Sequence, residues 1–246
     1  MTNDETYERI LEAARNDSQV LGFALTGGRG KGFVTEHSDY DISIVVMDGY
    51  VETAKRTYPS TITPYKFDIF VHTLESLREY ASFRSPMEWD RYNFAHVKTV
   101  FDRTDGEIQR IIDEKGTIPK DRIEETAKAD LDAYINHYYR SLKNGRDGDA
   151  FASRIDATES AQCLLAFVFS AEGRIKPYSK YILWALEHHP LEHLPWSAGE
   201  FVSILGRLFE TGDIGLQKEV FKAVRRYAID RGYQETIDSW EGCDLG

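Results

Sequence analysis

The chain has 246 residues and a formal net charge of −11, with 41% apolar, 13% aromatic and 29% charged residues. That apolar share supplies a packed core and excludes a disordered chain, and the length accommodates one large domain or two small ones. The negative balance excludes a protein that coats nucleic acid, whose phosphates call for Lys and Arg; it suits a small cationic ligand, or simply solubility.

No apolar run approaches the ~20 residues of a membrane span, so no membrane partner is expected. Met1 to Glu12 is polar and acidic, unlike a secretory signal or a transit peptide. Cys163 and Cys243 lie far apart, form no disulfide framework and fit a reducing cytoplasm. The expectation is a cytoplasmic protein.

Along the chain, Tyr7, Ile10, Leu11 and Ala14 at helical spacing predict an opening amphipathic helix, ended by Asn16-Asp17-Ser18. Val20 to Leu25 predicts a strand. It runs into a glycine-rich turn with Gly27, Gly28, Gly30 and Gly32. A polar loop leads to Ser38-Asp39-Tyr40-Asp41 and a second strand, Ile42 to Met47. Thr53 to Tyr58 fits either helix or strand, and Pro59 and Pro64 bracket a loop or hairpin. Tyr65 to His72 alternates, with Tyr65, Phe67, Ile69 and Val71 on the core face and Lys66, Asp68, Phe70 and His72 on the other. Thr73 is placed to cap a helix running to about Phe83. Val97 to Phe101 reads as a further strand, Thr104 with Glu107 as a capping box, and Gly116 as a helix stop.

Gly116 to Pro119 is the best boundary. It predicts an α+β domain with a mixed sheet over residues 1–117 and an α-helical bundle over 118–246. Ile123, Ala127, Leu131, Tyr134, Ile135, Tyr138 and Leu142 mark the stripe of a long helix, ended by Asn144-Gly145. A second helix spans Ala150 to Ala171, with Phe151 and Ile155 among its apolar positions. A third begins near Ser179, and two more cover Ala198 to Glu210 and Ile214 to Asp230.

The chemistry concentrates between Thr26 and Val46. Glycines let the backbone approach a ligand and turn N–H groups toward phosphate oxygens. Alternation puts Asp39 and Asp41 on one face at the head of a strand, as a Mg²⁺ ion holding a nucleoside triphosphate requires. This ordered set of strand, Gly27-Gly28, Ser38-Asp39-Tyr40-Asp41, strand, and then Asp68 on a later strand resembles the polymerase-beta-like nucleotidyltransferase superfamily. The motif-bearing likeness covers residues 20–72. The layout of the rest is similar to that of the antibiotic-type (aminoglycoside and lincosamide) nucleotidyltransferases.

That resemblance implies a Mg²⁺-dependent transfer of NMP, AMP from ATP above all, to a hydroxyl of a small molecule such as a cationic antibiotic. Asp39 and Asp41 would hold the metal, and Asp68 would complete its site or act as base. Gly27 and Gly28 would cradle phosphates, with Ser38 adding a hydroxyl and Arg29 and Lys31 either neutralising charge or lying in solvent. Many relatives carry Ser where this chain has Gly28, so one phosphate contact is absent. The helical domains of such relatives set a Lys and a Tyr against the triphosphate, which points to Lys176, Tyr178 and Lys180. For the acceptor, Glu88, Trp89 and Asp90 form an acid–aromatic–acid cluster suited to a cationic ligand, or else a buried Trp with solvated acids. Asp156 and Glu159 could line the same cleft, one of them as the base, or lie on a solvated helix face. Within the same fold, modification of a protein side chain or nucleotide binding without turnover stand as alternatives. His188, His189 and His193 match no zinc spacing and read as surface residues.

Overall fold

A computed structural model describes residues 2–62 and 66–245. The expected facing of Tyr65 and the bracketing role of Pro64 lie outside these. The protein is α+β, and its chain divides into two compact units, residues 1–118 and 119–246.

The first unit carries a five-stranded sheet in the order β3-β4-β2-β1-β5. Its strands are β1 (Val20–Leu25), β2 (Tyr40–Val46), β3 (Thr61–Ile62), β4 (Lys66–His72) and β5 (Thr99–Asp102). All pairings are antiparallel except β2 with β4, which is parallel. A parallel pair needs a crossover. Helix α3 (Val51–Thr57) lies on it and resolves the ambiguous Thr53 to Tyr58 stretch as helical.

Period-two alternation sorts the strand residues onto two faces. Ile42, Ile44 and Val46 of β2 and Phe67 and Ile69 of β4 pack on one face with Leu11 and Ala14 of α1 (Asn3–Asn16) and Ala54 of α3. Val45 and Ala24 face the other way, against Leu77, Phe94, Ile108 and Ile112. Each fully buried aliphatic side chain here contributes ~1.5–3 kcal/mol. The second face is roofed by α4 (Leu74–Glu79), a 3-10 segment (Glu88–Phe94) and α5 (Glu107–Lys115). Its apolar roof covers Val45 but not the strand ends bearing Asp41 and Asp68.

Local signals set several helix starts. Thr2 and Glu5 form a reciprocal capping box on α1, and Thr73 caps α4 with Ser76 as its partner. Helix α4 ends at Glu79 rather than near Phe83. Lys115 Nζ donates to Arg78 O of the helix's last turn and to Tyr80 O of its cap, and Arg91 Nη1 donates to Ala81 O just beyond, where φ turns to 49°. The Thr104–Glu107 box does not form. Gly106, at φ 83°, starts α5; Thr104 Oγ1 accepts from the Ile108 N–H, and Glu107 pairs with Arg78.

The second unit is a helical bundle: α6 (Ile123–Arg146), α7 (Ala150–Ser170), α8 (Ile182–His188), α9 (Ala198–Thr211), α10 (Ile214–Asp230) and α11 (Gln234–Asp238). Its core joins Leu131, Ile135 and Tyr138 of α6, Leu164, Phe167 and Val168 of α7, Phe201 and Leu205 of α9, and Phe221 and Val224 of α10. A 3-10 turn at Lys120–Arg122 leads into α6, with Arg122 at the cap.

Helix α6 ends at Arg146, one residue beyond the expected Asn144-Gly145 stop. Gly145 is also a packing glycine: a Cβ there would meet Ile214 Cδ1 at 2.5 Å and Ser153 Oγ at 3.2 Å. Phe151 and Ile155 do not join the core; they are 78% and 47% exposed, while Ala157, Ala161 and Leu164 carry the buried face of α7.

Asp156, a candidate base, does not lie on a solvated helix face. It is 4% exposed, accepts from Asn144 Nδ2 at 2.8 Å, and lies 3.3 Å from both His137 Nδ1 and Arg140 Nε. Its carboxylate ties α7 to three positions of α6. Asp156→Ala is expected to cost about 2–3 kcal/mol, since it strands partners built for an acceptor. Differential scanning calorimetry would show this as a Tm lower by roughly 6–10 °C.

Candidate metal centre

The site begins where β1 leaves the sheet. The Thr26 N–H donates to the Asp41 carbonyl at 2.7 Å, and Thr26 Oγ1 donates to the same oxygen at 3.1 Å. These two bonds lock the end of β1 to the head of β2. The glycine-rich turn is a single helical turn, α2 (Gly27–Gly30), whose first N–H groups have no intrahelical partner. Gly27 sits at φ +59°, and a Cβ there would lie 1.9 Å from Asp41 Oδ2. Only glycine lets this turn pass so close over the carboxylate. A Cβ on Gly30 would lie 2.0 Å from the Leu25 carbonyl, so that glycine seats the turn on the strand.

Parallel pairing sets the rest. In the β2–β4 register Asp41 stands opposite Asp68, and strands are ~4.8 Å apart. Asp39 precedes Asp41 by one alternation. One carboxylate oxygen from each of Asp39, Asp41 and Asp68 lies within 4.8 Å of the others. An octahedral Mg²⁺ holds oxygens at about 2.1 Å, hence up to roughly 4.2 Å apart across the ion. Three hard oxygen donors at that spacing fit such a cation after a small inward turn of exposed side chains. Without one, like charges at this range repel.

The basic residues of the turn do other work. Lys31 is 9% exposed, and its Nζ donates to Gly27 O at 3.2 Å and to Asn93 O at 2.8 Å. It is neither solvated nor aimed at a phosphate; it pins the turn to the 3-10 segment. Arg29 lies over the Tyr40 ring, 3.9 Å from its centroid, and donates to Ser38 O at 3.3 Å. Ser38 Oγ accepts from the Thr35 N–H at 2.8 Å and so shapes the loop before Asp39. The Tyr40 phenol, buried and donating to Asp4, has its pKa pushed up to about 12.

The Glu88-Trp89-Asp90 cluster is split. Trp89 is 64% exposed, whereas Asp90 is buried at 6% and accepts from Tyr80 Oη at 2.7 Å. Asp90 is therefore a structural acceptor, not part of a cation-binding surface. In the helical unit Glu159 and Lys176 are exposed. Tyr178 caps a 3-10 turn (Ser179–Tyr181) ahead of α8, and Lys180 Nζ lies 4.8 Å from the Tyr181 ring centroid. Among the described residues, Asp39, Asp41 and Asp68 form the grouping of metal-ligating side chains, and the histidines form none.

Sequence reasoning missed Thr26, the true role of Lys31, and Asn93. A buried Thr ahead of the glycine pair was the available signal for the first. The other two depend on a contact spanning 62 positions.

Behind the site on the same face, His72 is buried with no hydrogen-bond partner at Nε2. Burial, with the Lys115 ammonium near it, lowers its pKa to about 4 from 6.5. The unfolded chain therefore binds the extra proton between these values. The stability His72 contributes is present above about 6.5 and is lost as pH falls toward 4, by ~3 kcal/mol at most. Denaturant midpoints at pH 7.5 and pH 5 should differ less for His72→Leu than for the parent chain.

No family model matches the chain, and no curated protein matches it. Among solved structures it is similar to a nucleotidyltransferase-like protein from Exiguobacterium sibiricum 255-15, over 98% of this chain and 87% of that one, with 10% identity and a TM-score of 0.39. Among the described residues no helix is long and apolar enough to cross a membrane.

Proposed function

We propose that the protein is a Mg²⁺-dependent nucleotidyltransferase that moves AMP from ATP to a hydroxyl of a small molecule and releases pyrophosphate. The observation carrying this reading is the convergence of Asp39, Asp41 and Asp68 beneath a glycine turn that only Gly27 can form. The acceptor oxygen bonds to the α-phosphorus as the bond from that phosphorus to the bridging oxygen breaks. The bond's electron pair leaves with pyrophosphate, and the hydroxyl proton passes to a carboxylate or to water.

A bound Mg²⁺ supplies the positive charge that offsets the α-phosphate and the leaving group. Asp39 and Asp41 hold the ion, and Asp68 completes its ligands or accepts the proton. The N–H groups of Gly27 and Gly28 face phosphate oxygens, while Thr26 and Lys31 keep the turn in place. The roles of Lys176, Tyr178 and Lys180 toward the triphosphate, and of a cationic antibiotic as acceptor, rest on the family resemblance.

Calorimetric titration of ATP, GTP, CTP and UTP with Mg²⁺ tests the reading. Metal-dependent binding, with ATP preferred, is expected. A folded protein that binds none of the four would remove the basis for transfer.

A further inference from the structure

We propose that Phe70 is the platform on which the acceptor lies, and that the acceptor presents the apolar C–H face of a hydroxylated ring to it. This rests on the nucleotidyl-transfer reading. In-line displacement puts the attacking and leaving oxygens on opposite sides of the α-phosphorus. The glycine turn follows β1, and the sheet runs β1, β2, β4, so pyrophosphate on that turn leaves toward β1. The acceptor then approaches from the β4 side.

On that side β4 offers Asp68, Phe70 and His72 to the same face, and His72 is buried. Phe70 is 41% exposed and sits one alternation, roughly 7 Å, from Asp68. A large ring thus stands exposed on the same face as the carboxylate of Asp68. It is held in place from behind: its centroid is 6.2 Å from that of Tyr80, whose hydroxyl is fixed by buried Asp90. Asn93 Nδ2 donates to Asp90, and the Asn93 carbonyl accepts from Lys31, which also binds Gly27 O. Hydrogen bonds thus link the phosphate turn to Tyr80, whose ring backs Phe70.

The test is saturation-transfer NMR on the full chain with Mg²⁺ and a non-hydrolysable ATP analogue. The probes are methyl β-D-glucoside, which has a C–H ring face, and open-chain sorbitol, which has none. Mn²⁺ affinity is measured on the same samples. The expected result is saturation of the glucoside ring protons by the parent chain and by Phe70→Tyr. Phe70→Ala and Phe70→Leu should show at least about five-fold less, in keeping with the loss of an aromatic contact. Sorbitol should respond weakly throughout, and Mn²⁺ affinity should not change. Glucoside saturation that is absent from the parent chain, or equal in Phe70→Leu, overturns the platform while intact Mn²⁺ binding leaves the transferase reading standing. A parent chain that binds no Mn²⁺ sinks both.

Discussion

Replacing Asp39 and Asp41 together by asparagine is expected to abolish metal-dependent nucleotide binding and to cut pyrophosphate release by at least about a thousandfold. That corresponds to ~4 kcal/mol, the scale of charge stabilisation a metal contributes in a transition state. Both side chains lie at the mouth of the sheet, Asp39 exposed and Asp41 half-buried, so the fold should survive. Neutralising two of three carboxylates that lie within 4.8 Å of one another also relieves repulsion in the metal-free protein. Its Tm should therefore stay level or rise, which separates lost chemistry from lost structure. Mn²⁺ titration followed by electron paramagnetic resonance reads the binding directly. A double variant that binds Mn²⁺ like the parent would show that these carboxylates are not the metal's ligands.

Gly27→Ala is expected to weaken Mn²⁺ binding at least tenfold, although the substitution adds a single methyl group. The cause is positional. At φ +59° a side chain costs roughly 1–2 kcal/mol, and the new Cβ would fall 1.9 Å from Asp41 Oδ2, so the carboxylate must swing away. Gly32→Ala is the control. Gly32 also has positive φ, +78°, but no atom lies within 4 Å of the Cβ it would gain. It should carry similar backbone strain and bind Mn²⁺ normally. Equal loss in both variants would mean that strain in the turn, not displacement of Asp41, governs the site.

Much of the first unit is written in short-range patterns. The alternation of Phe67 and Ile69 with Asp68 and Phe70 is a property of β geometry, and the structure buries the first pair and exposes the second. Thr73 caps α4 because a side-chain hydroxyl three residues from a free N–H is a local fact. The stripe from Ala127 to Tyr138 needed only helical periodicity. Signals of equal local quality failed where a distant group competed. Helix α4 stops early where Lys115, from elsewhere in the chain, takes the carbonyls of Arg78 and Tyr80.

By itself the sequence determined four of the five strands, the main helices, the glycine turn and the carboxylates at the strand heads, since each follows from residues within a few positions of one another. Tertiary structure alone decided which charged groups are free for chemistry. Asp68 reaches Asp41 through a parallel register that no local pattern encodes, whereas Asp90, Asp156 and Lys31 are drawn inside to satisfy Tyr80, the α6 side chains and two carbonyls. A buried charge persists only where partners from other elements meet it, and those partners come from the folded chain, not from neighbours in sequence.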